Sequence, residues 1–138
     1  MSLTAPRNTV EVLCHAQKLR RNFAMKTGVL VYPGAIAALD PATGLAESAS
    51  AKEGLIVLGR AEGFSNDGRL IAKSGVFKYD NGTGEEALTL ADLNKTVYIL
   101  DDHTVGKLGG TAKVPAGILR DLEDGITPIV EIGNIHLN

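Results

Sequence analysis

A mostly β, single-domain fold, an antiparallel β-sandwich, jelly roll or barrel-like body with little helix, is predicted for this chain by three observations. Its 16 glycines and 5 prolines recur at intervals that leave few windows long enough for an amphipathic helix. Its apolar inventory is mostly Ala, Leu, Val and Ile, with no Trp and only 4% aromatics, so the core is built from many small side chains packed between sheets. The stretch from Gly75 to Ile132 reads as a run of short strands stopped by acid-rich turns. With 138 residues the chain is long enough for one domain that buries roughly 68% of the surface its unfolded form would expose.

The elements follow in order. Thr9 to His15 alternates as a strand, and Lys18 to Lys26 reads as a second, with Leu19 and Phe23 inward. Gly28 to Tyr32 is a short apolar run broken at Pro33-Gly34. Ala35 to Leu39 is the next strand, ending at Asp40-Pro41-Ala42-Thr43-Gly44, whose Asp-Pro and Thr-Gly pairs mark a turn. Leu45 to Ser50 leads into a small-residue loop. Within Gly54 to Gly63 the run Leu55-Ile56-Val57-Leu58 is apolar without alternation, as a strand buried on both faces would be. Ser65-Asn66-Asp67-Gly68 turns the chain, and Arg69 to Ala72 leads towards a strand that opens at Gly75.

In that strand Val76, Lys78 and Asp80 alternate with Phe77 and Tyr79 before an Asn81-Gly82 turn. Asn81 to Glu86 is expected to be a flexible tip pointing to solvent, because burying Glu85 beside Glu86 would incur both desolvation and like-charge costs. Leu88 to Asn94 is the only plausible helix, at most two turns, since Asp92 and Asn94 favour local side-chain to backbone bonds. Val97 to Leu100 is an apolar strand stopped by Asp101 and Asp102. Lys107 to Lys113 is a loop around Gly109-Gly110, where glycine permits backbone conformations that other residues avoid. Pro115-Ala116-Gly117-Ile118-Leu119 begins a strand, Glu123-Asp124-Gly125 turns it, and Ile129 to Ile132 closes the set. In the tail from Gly133, Ile135 and Leu137 lie on one side, long enough to add an edge strand.

Composition and motifs narrow the chemistry. A single cysteine excludes an internal disulfide, and Cys14, sharing a strand face with Val10 and Val12, reads as a buried small hydrophobe. Met1 to Arg7 does not read as a signal peptide and no apolar run approaches the roughly 20 residues of a membrane span, so the expectation is a soluble protein made in a reducing cytoplasm. Asp101-Asp102-His103, with Asp80 across the sheet, offers oxygen ligands but lacks the interleaved spacers and sharp-turn glycine of a calcium loop, and reads as a hydrogen-bonded turn. His15, His103 and His136 are scattered, without a local nucleophile signature, so no catalytic residue and no cofactor or metal is assigned. Val105 to Thr111 holds a Gly-Lys pair, but Leu108 stands where a P-loop needs Ser or Thr. Phe77 and Tyr79 have the spacing of a base-stacking platform, yet Asp80, Glu85 and Glu86 beside them carry the wrong sign for nucleic acid.

Charge divides the chain into a basic N-terminal limb, residues 1–27, and a β domain, residues 28–138. The limb holds five basic residues and one acid, giving +4; the rest holds nine basic and fifteen acidic residues, giving −6, and the two sum to the net −2. Such a limb suits docking on an acidic surface, contact with nucleic acid, or a strand edge kept soluble by its cations.

Four segments carry a resemblance: Gly75 to Asn81, the elbow Ala91-Asp92-Leu93-Asn94-Lys95, Val97 to Val105, and Pro115 to Leu119. In order and spacing they resemble the capsid decoration, or cement, proteins of tailed phages and prophages. The resemblance is looser from Val31 to Gly63 and has no counterpart in residues 1–27. It implies a non-enzymatic structural virion protein on the outside of an icosahedral head, bridging major capsid subunits and clustering with itself as a dimer or trimer. Charge complementarity then makes Arg7, Lys18, Arg20, Arg21 and Lys26 candidate capsid contacts, with Ile135 and Leu137 available to pair with a neighbouring sheet edge. The alternative is a β-rich accessory phage protein that binds nucleic acid through the basic limb.

Overall fold

A computed structural model describes residues 20–133, and Ala5 apart from them. The predicted strand at Thr9 to His15, Cys14 within it, and the tail strand with Ile135 and Leu137 lie outside the described residues. What is described is mostly β, in two sheets. The first holds β1 (Arg20–Phe23), β2 (Ile36–Asp40), β3 (Leu45–Ser48), β4 (Ile56–Phe64) and β5 (Leu70–Lys73), in the order β1-β5-β4-β2-β3. Every pairing in it is antiparallel. The second holds β6 (Gly75–Lys78), β7 (Asp80–Asn81), β8 (Thr96–Ile99), β9 (Thr104–Gly106), β10 (Pro115–Glu123) and β11 (Thr127–Ile132), in the order β6-β11-β10-β8-β9-β7. Only β7 against β9 runs parallel. The arrangement is a sandwich, and the sheets are not closed into a barrel. Arg20–Phe23, at the end of the basic limb, is a strand of the first sheet, paired with Leu70–Lys73.

The turns form where their residues require them. Asp40 closes the β2–β3 connection twice over: its carboxylate accepts from the Ala42 amide at 3.0 Å, and its carbonyl accepts from the Gly44 amide at 2.7 Å. Between β10 and β11 the chain turns through Asp124, Gly125 and Ile126. Asp124 at φ 53° and Gly125 at φ 71° are the central residues of a tight turn closed by the Ile126 amide on the Glu123 carbonyl at 3.0 Å, a positive-φ conformation that suits the right-handed twist of paired strands. No α-helix forms among the described residues. The stretch Leu88 to Asn94 yields only the tight turn Leu90–Asp92, where Thr89 and Asp92 bond reciprocally as a capping box. Asp92 acts as its sequence suggests, its carboxylate accepting from the Thr89 amide, whereas the Asn94 side chain accepts from Arg120 at 3.0 Å and its backbone amide donates to the Leu119 carbonyl.

The core has two parts because the first sheet is covered on both faces. Ile36, Ala38 and Val57 join Val97, Ile99, Val105, Leu119, Val130 and Ile132 between the sheets. Ala37, Leu58, Ala61, Leu70 and Ala72 pack on the other side beneath Phe23, Met25, Val29 and Val31. The expectation that Leu55 to Leu58 is buried on both faces holds for Val57 and Leu58, which point opposite ways, but Ile56, the first residue of β4, is half exposed. At Gly59 a bulge brings β4 so close to β5 that a Cβ would strike the Lys73 carbonyl. Phe77 and Tyr79 both face inward, with rings edge to face at 6.4 Å. The paired spacing is therefore that of a core-facing strand.

Candidate functional site

The geometry sorts the predicted contact residues into different roles. Arg20 stays at the surface, its guanidinium 3.5 Å from Glu62. Arg21 turns to the opposite face of β1, donates to the carbonyls of Leu58 and Gly133 at 3.2 and 3.0 Å, and lies 5.2 Å from the Phe23 ring centre. Lys26 is committed to Asp40 at 2.8 Å and to Glu47, with Lys52 joining the same two acids. The hydrogen bond from Lys26 holds the Asp40 carboxyl down at about 2, and the same pair of acids pushes the Lys26 ammonium up. Arg21 and Lys26 are thus engaged within the chain, while Arg7, Lys18, Ile135 and Leu137 lie outside the described residues.

Register brings Arg20 into a cluster that its sequence neighbours do not announce. Arg20 stands opposite Lys73, and Lys73 stands opposite Arg60, so three cations from β1, β5 and β4 form a row on one face. The bulge at Ala61 to Gly63 places Glu62 among them, 2.6 Å from Arg60, 3.5 Å from Arg20 and 4.0 Å from Lys73. The Arg60 hydrogen bond, helped by the charges of Lys73 and Arg20, keeps the Glu62 carboxyl below its ordinary value. Arg60 also lies over the Phe77 ring at 4.2 Å, tying the row to the second sheet. Lys73 and Arg60 are the functional candidates that sequence reasoning missed; strand register is their only signal.

Asp101, Asp102 and His103 bring one ligand atom each to within 4.8 Å of one another. Their bonds are those of a turn that joins the sheets. The His103 amide donates to Asp101 Oδ1 at 2.9 Å, Ser48 of β3 donates to Asp102 Oδ2 at 2.8 Å, and the Asp102 carbonyl accepts from the Ile36 amide at 2.7 Å. Asp80 is across the sheet as expected, its amide donating to the His103 carbonyl. The His103 ring at 2.8 Å holds the Asp102 carboxyl below its ordinary value, and Asp102 in return raises the imidazole.

The Asn81 to Glu86 tip departs from expectation. Glu85 is exposed, but Glu86 folds back into the Gly109-Gly110 loop. Its Oε1 accepts from the amides of Leu108 and Gly109 at 2.7 and 2.9 Å, and its Oε2 from Gly110 at 3.1 Å. Burial opposes its ionisation, and the three amides more than offset this, so its carboxyl is held below the ordinary value. The like-charge argument fails because the two neighbours point to different places. The glycine loop that suggested a phosphate cradle does bind an anion, one supplied by the chain itself. Buried Tyr79 has no hydrogen-bond partner for its hydroxyl among the described residues, and burial pushes its pKa up, so the phenol stays protonated at neutral pH.

No family model matches the chain, and no curated protein or solved structure does either. Among the described residues, no helix is long and apolar enough to cross a membrane.

Proposed function

We propose that the protein is a structural component of a tailed-phage or prophage particle, bound to the outside of the icosahedral head, where it bridges major capsid subunits and stabilises the shell. One observation carries the reading: the four segments behind the resemblance form a single bonded unit. Asp80 and Asn81 pair with Thr104 and Val105, β8 pairs with both β9 and β10, and the elbow Ala91 to Lys95 is fixed to β10. That last link runs both ways, from the Asn94 amide to the Leu119 carbonyl and from the Leu119 amide to the Lys95 carbonyl, at 2.8 and 3.0 Å. The shared pattern is therefore an architectural one, a stiff sheet with locked turns. Such a body suits a clamp that must resist deformation and needs no reactive group. Binding the assembled lattice but not free subunits stabilises the lattice by mass action.

The test uses purified heads lacking a decoration protein. The chain should bind them saturably and raise the temperature at which they open, and self-association should show as touching copies in a map of the decorated head. Isolated, non-touching copies would remove the self-association. No binding to heads together with DNA binding of steep salt dependence would favour the nucleic-acid reading instead.

A further inference from the structure

We propose that the face of β1, β5 and β4 bearing Arg20, Lys73 and Arg60 is a carboxylate-reading surface that docks on an acidic protein face; as the head-facing side it rests on the proposed function. The first-sheet residues packed between the sheets come from β2, β4 and their flanking loops, and none from β1 or β5. The row therefore lies at the flank of the sandwich. It sets three cations against the single carboxylate of Glu62, an excess of two positive charges on a chain of net charge −2. Arg69 adds a further cation at the far end of β1, its guanidinium donating to the Asn22 side chain and carbonyl at 3.3 and 3.5 Å.

The row is preorganised at one end and open at the other. Arg60 is fixed between Glu62 and the Phe77 ring, and the Lys73 side chain is 21% exposed. The Arg20 side chain is 58% exposed and meets Glu62 only at 3.5 Å, so its fork of donors can take a further carboxylate. Glu62 itself displays the ligand chemistry. An acidic protein fits better than nucleic acid for two reasons. The Phe77 ring is covered by Arg60, Tyr79 is buried, and the exposed Phe64 of β4 stands opposite Leu70 on the other face of the sheet, so among the described residues the row itself holds no aromatic free to stack on a base. The anion the row already holds is a carboxylate, Glu62, which meets Arg60, Arg20 and Lys73 at 2.6, 3.5 and 4.0 Å, so the spacing of the cations suits that group.

The experiment is a titration of the labelled full chain, followed by amide resonances at low and moderate salt. One probe is a short polyglutamate peptide and the other a single-stranded oligonucleotide of equal charge. Polyglutamate should shift β1 and β5 and bind more tightly than the oligonucleotide. Arg20→Glu with Lys73→Glu should weaken the peptide about tenfold or more, as loss of complementary charges does. Because a new acid beside Glu62 could unsettle the sheet, Arg20→Gln with Lys73→Gln is the second variant and should weaken it in the same direction; Lys78→Gln with Lys95→Gln is the charge-matched control and should not. Shifts confined to other elements, equal binding by the Gln variant, or preference for the oligonucleotide would overturn the proposal. Head occupancy is measured in parallel. Variants that lose the peptide but keep full head occupancy would overturn this face as the docking side and leave the proposed function standing. Peptide shifts on β1 and β5 without any head binding by the unaltered chain would sink the proposed function and leave the carboxylate surface.

Discussion

The two sheets are packed by opposite means. Buried positions in the first are mainly alanine, Ala37, Ala38, Ala46, Ala61 and Ala72, on strands drawn close and covered on both sides. Buried positions in the second are mainly large, among them Val97, Ile99, Leu119, Val130 and Ile132. A sheet filled by volume fails when volume is removed, whereas a sheet filled by close approach fails when volume is added.

The largest expected effect tests the first half of that contrast. Leu119→Ala removes a fully buried side chain and should cost about 2–5 kcal/mol, read from chemical unfolding. A loss well below that would mean that the second sheet collapses around the gap. Next, Ala37→Leu should destabilise by about 1–3 kcal/mol through overpacking, although it adds apolar surface. A neutral or stabilising result would break the comparison. A smaller effect concerns the locked turn: Glu86→Ala leaves three amides to water and should cost about 1 kcal/mol. Its exposed neighbour offers the contrast, since Glu85→Ala should stay within about 0.5 kcal/mol. Equal effects would mean that the Glu86 latch is not formed in solution.

The smallest effect is a pH dependence at the turn joining the sheets. His103 has a raised folded pKa, so its contribution is fully present below the ordinary histidine value of 6.5 and is lost as pH rises through the folded value. His103→Asn should therefore lower the melting temperature more at pH 5.5 than at pH 8, the first lying below and the second above the ordinary range of histidine. Glu86 has the opposite sign: its depressed pKa gives stability that is present above 4.5 and is lost as pH falls through the folded value. Its Ala variant should thus converge on the unaltered chain in acid.

Most of the fold was legible because its signals are local. Asp40 to Gly44, Ser65 to Gly68 and Asp124-Gly125 turn the chain where their chemistry says so, and the alternation at Phe77 and Tyr79 fixed which face is buried. The cationic row was not legible, since Arg20, Arg60 and Lys73 meet only through the pairing of three strands. Nor was the Glu86 latch, because its partners are backbone amides, and no side-chain pattern marks where they point. Arg21 and Lys26 look equivalent to Arg20 in the sequence; the alternation of β1 and the acids of β2 and β3 separate them.

The pairing of β6 with β11 bears on how the chain acquires its structure. β6 and β7 are separated by Tyr79 alone, yet they occupy opposite edges of the second sheet, and Gly75 finds its partner only at Ile132. Hairpins β8–β9 and β10–β11 are able to form as soon as each is synthesised, but β6 has no ladder until the ribosome has passed the last of them. Sequence-distant pairing of this kind slows folding and makes it all or none. A chain cut short before Thr127 would leave β6 and β10 without their shared neighbour β11, so a nascent or truncated product exposes its core to proteases while the complete chain does not.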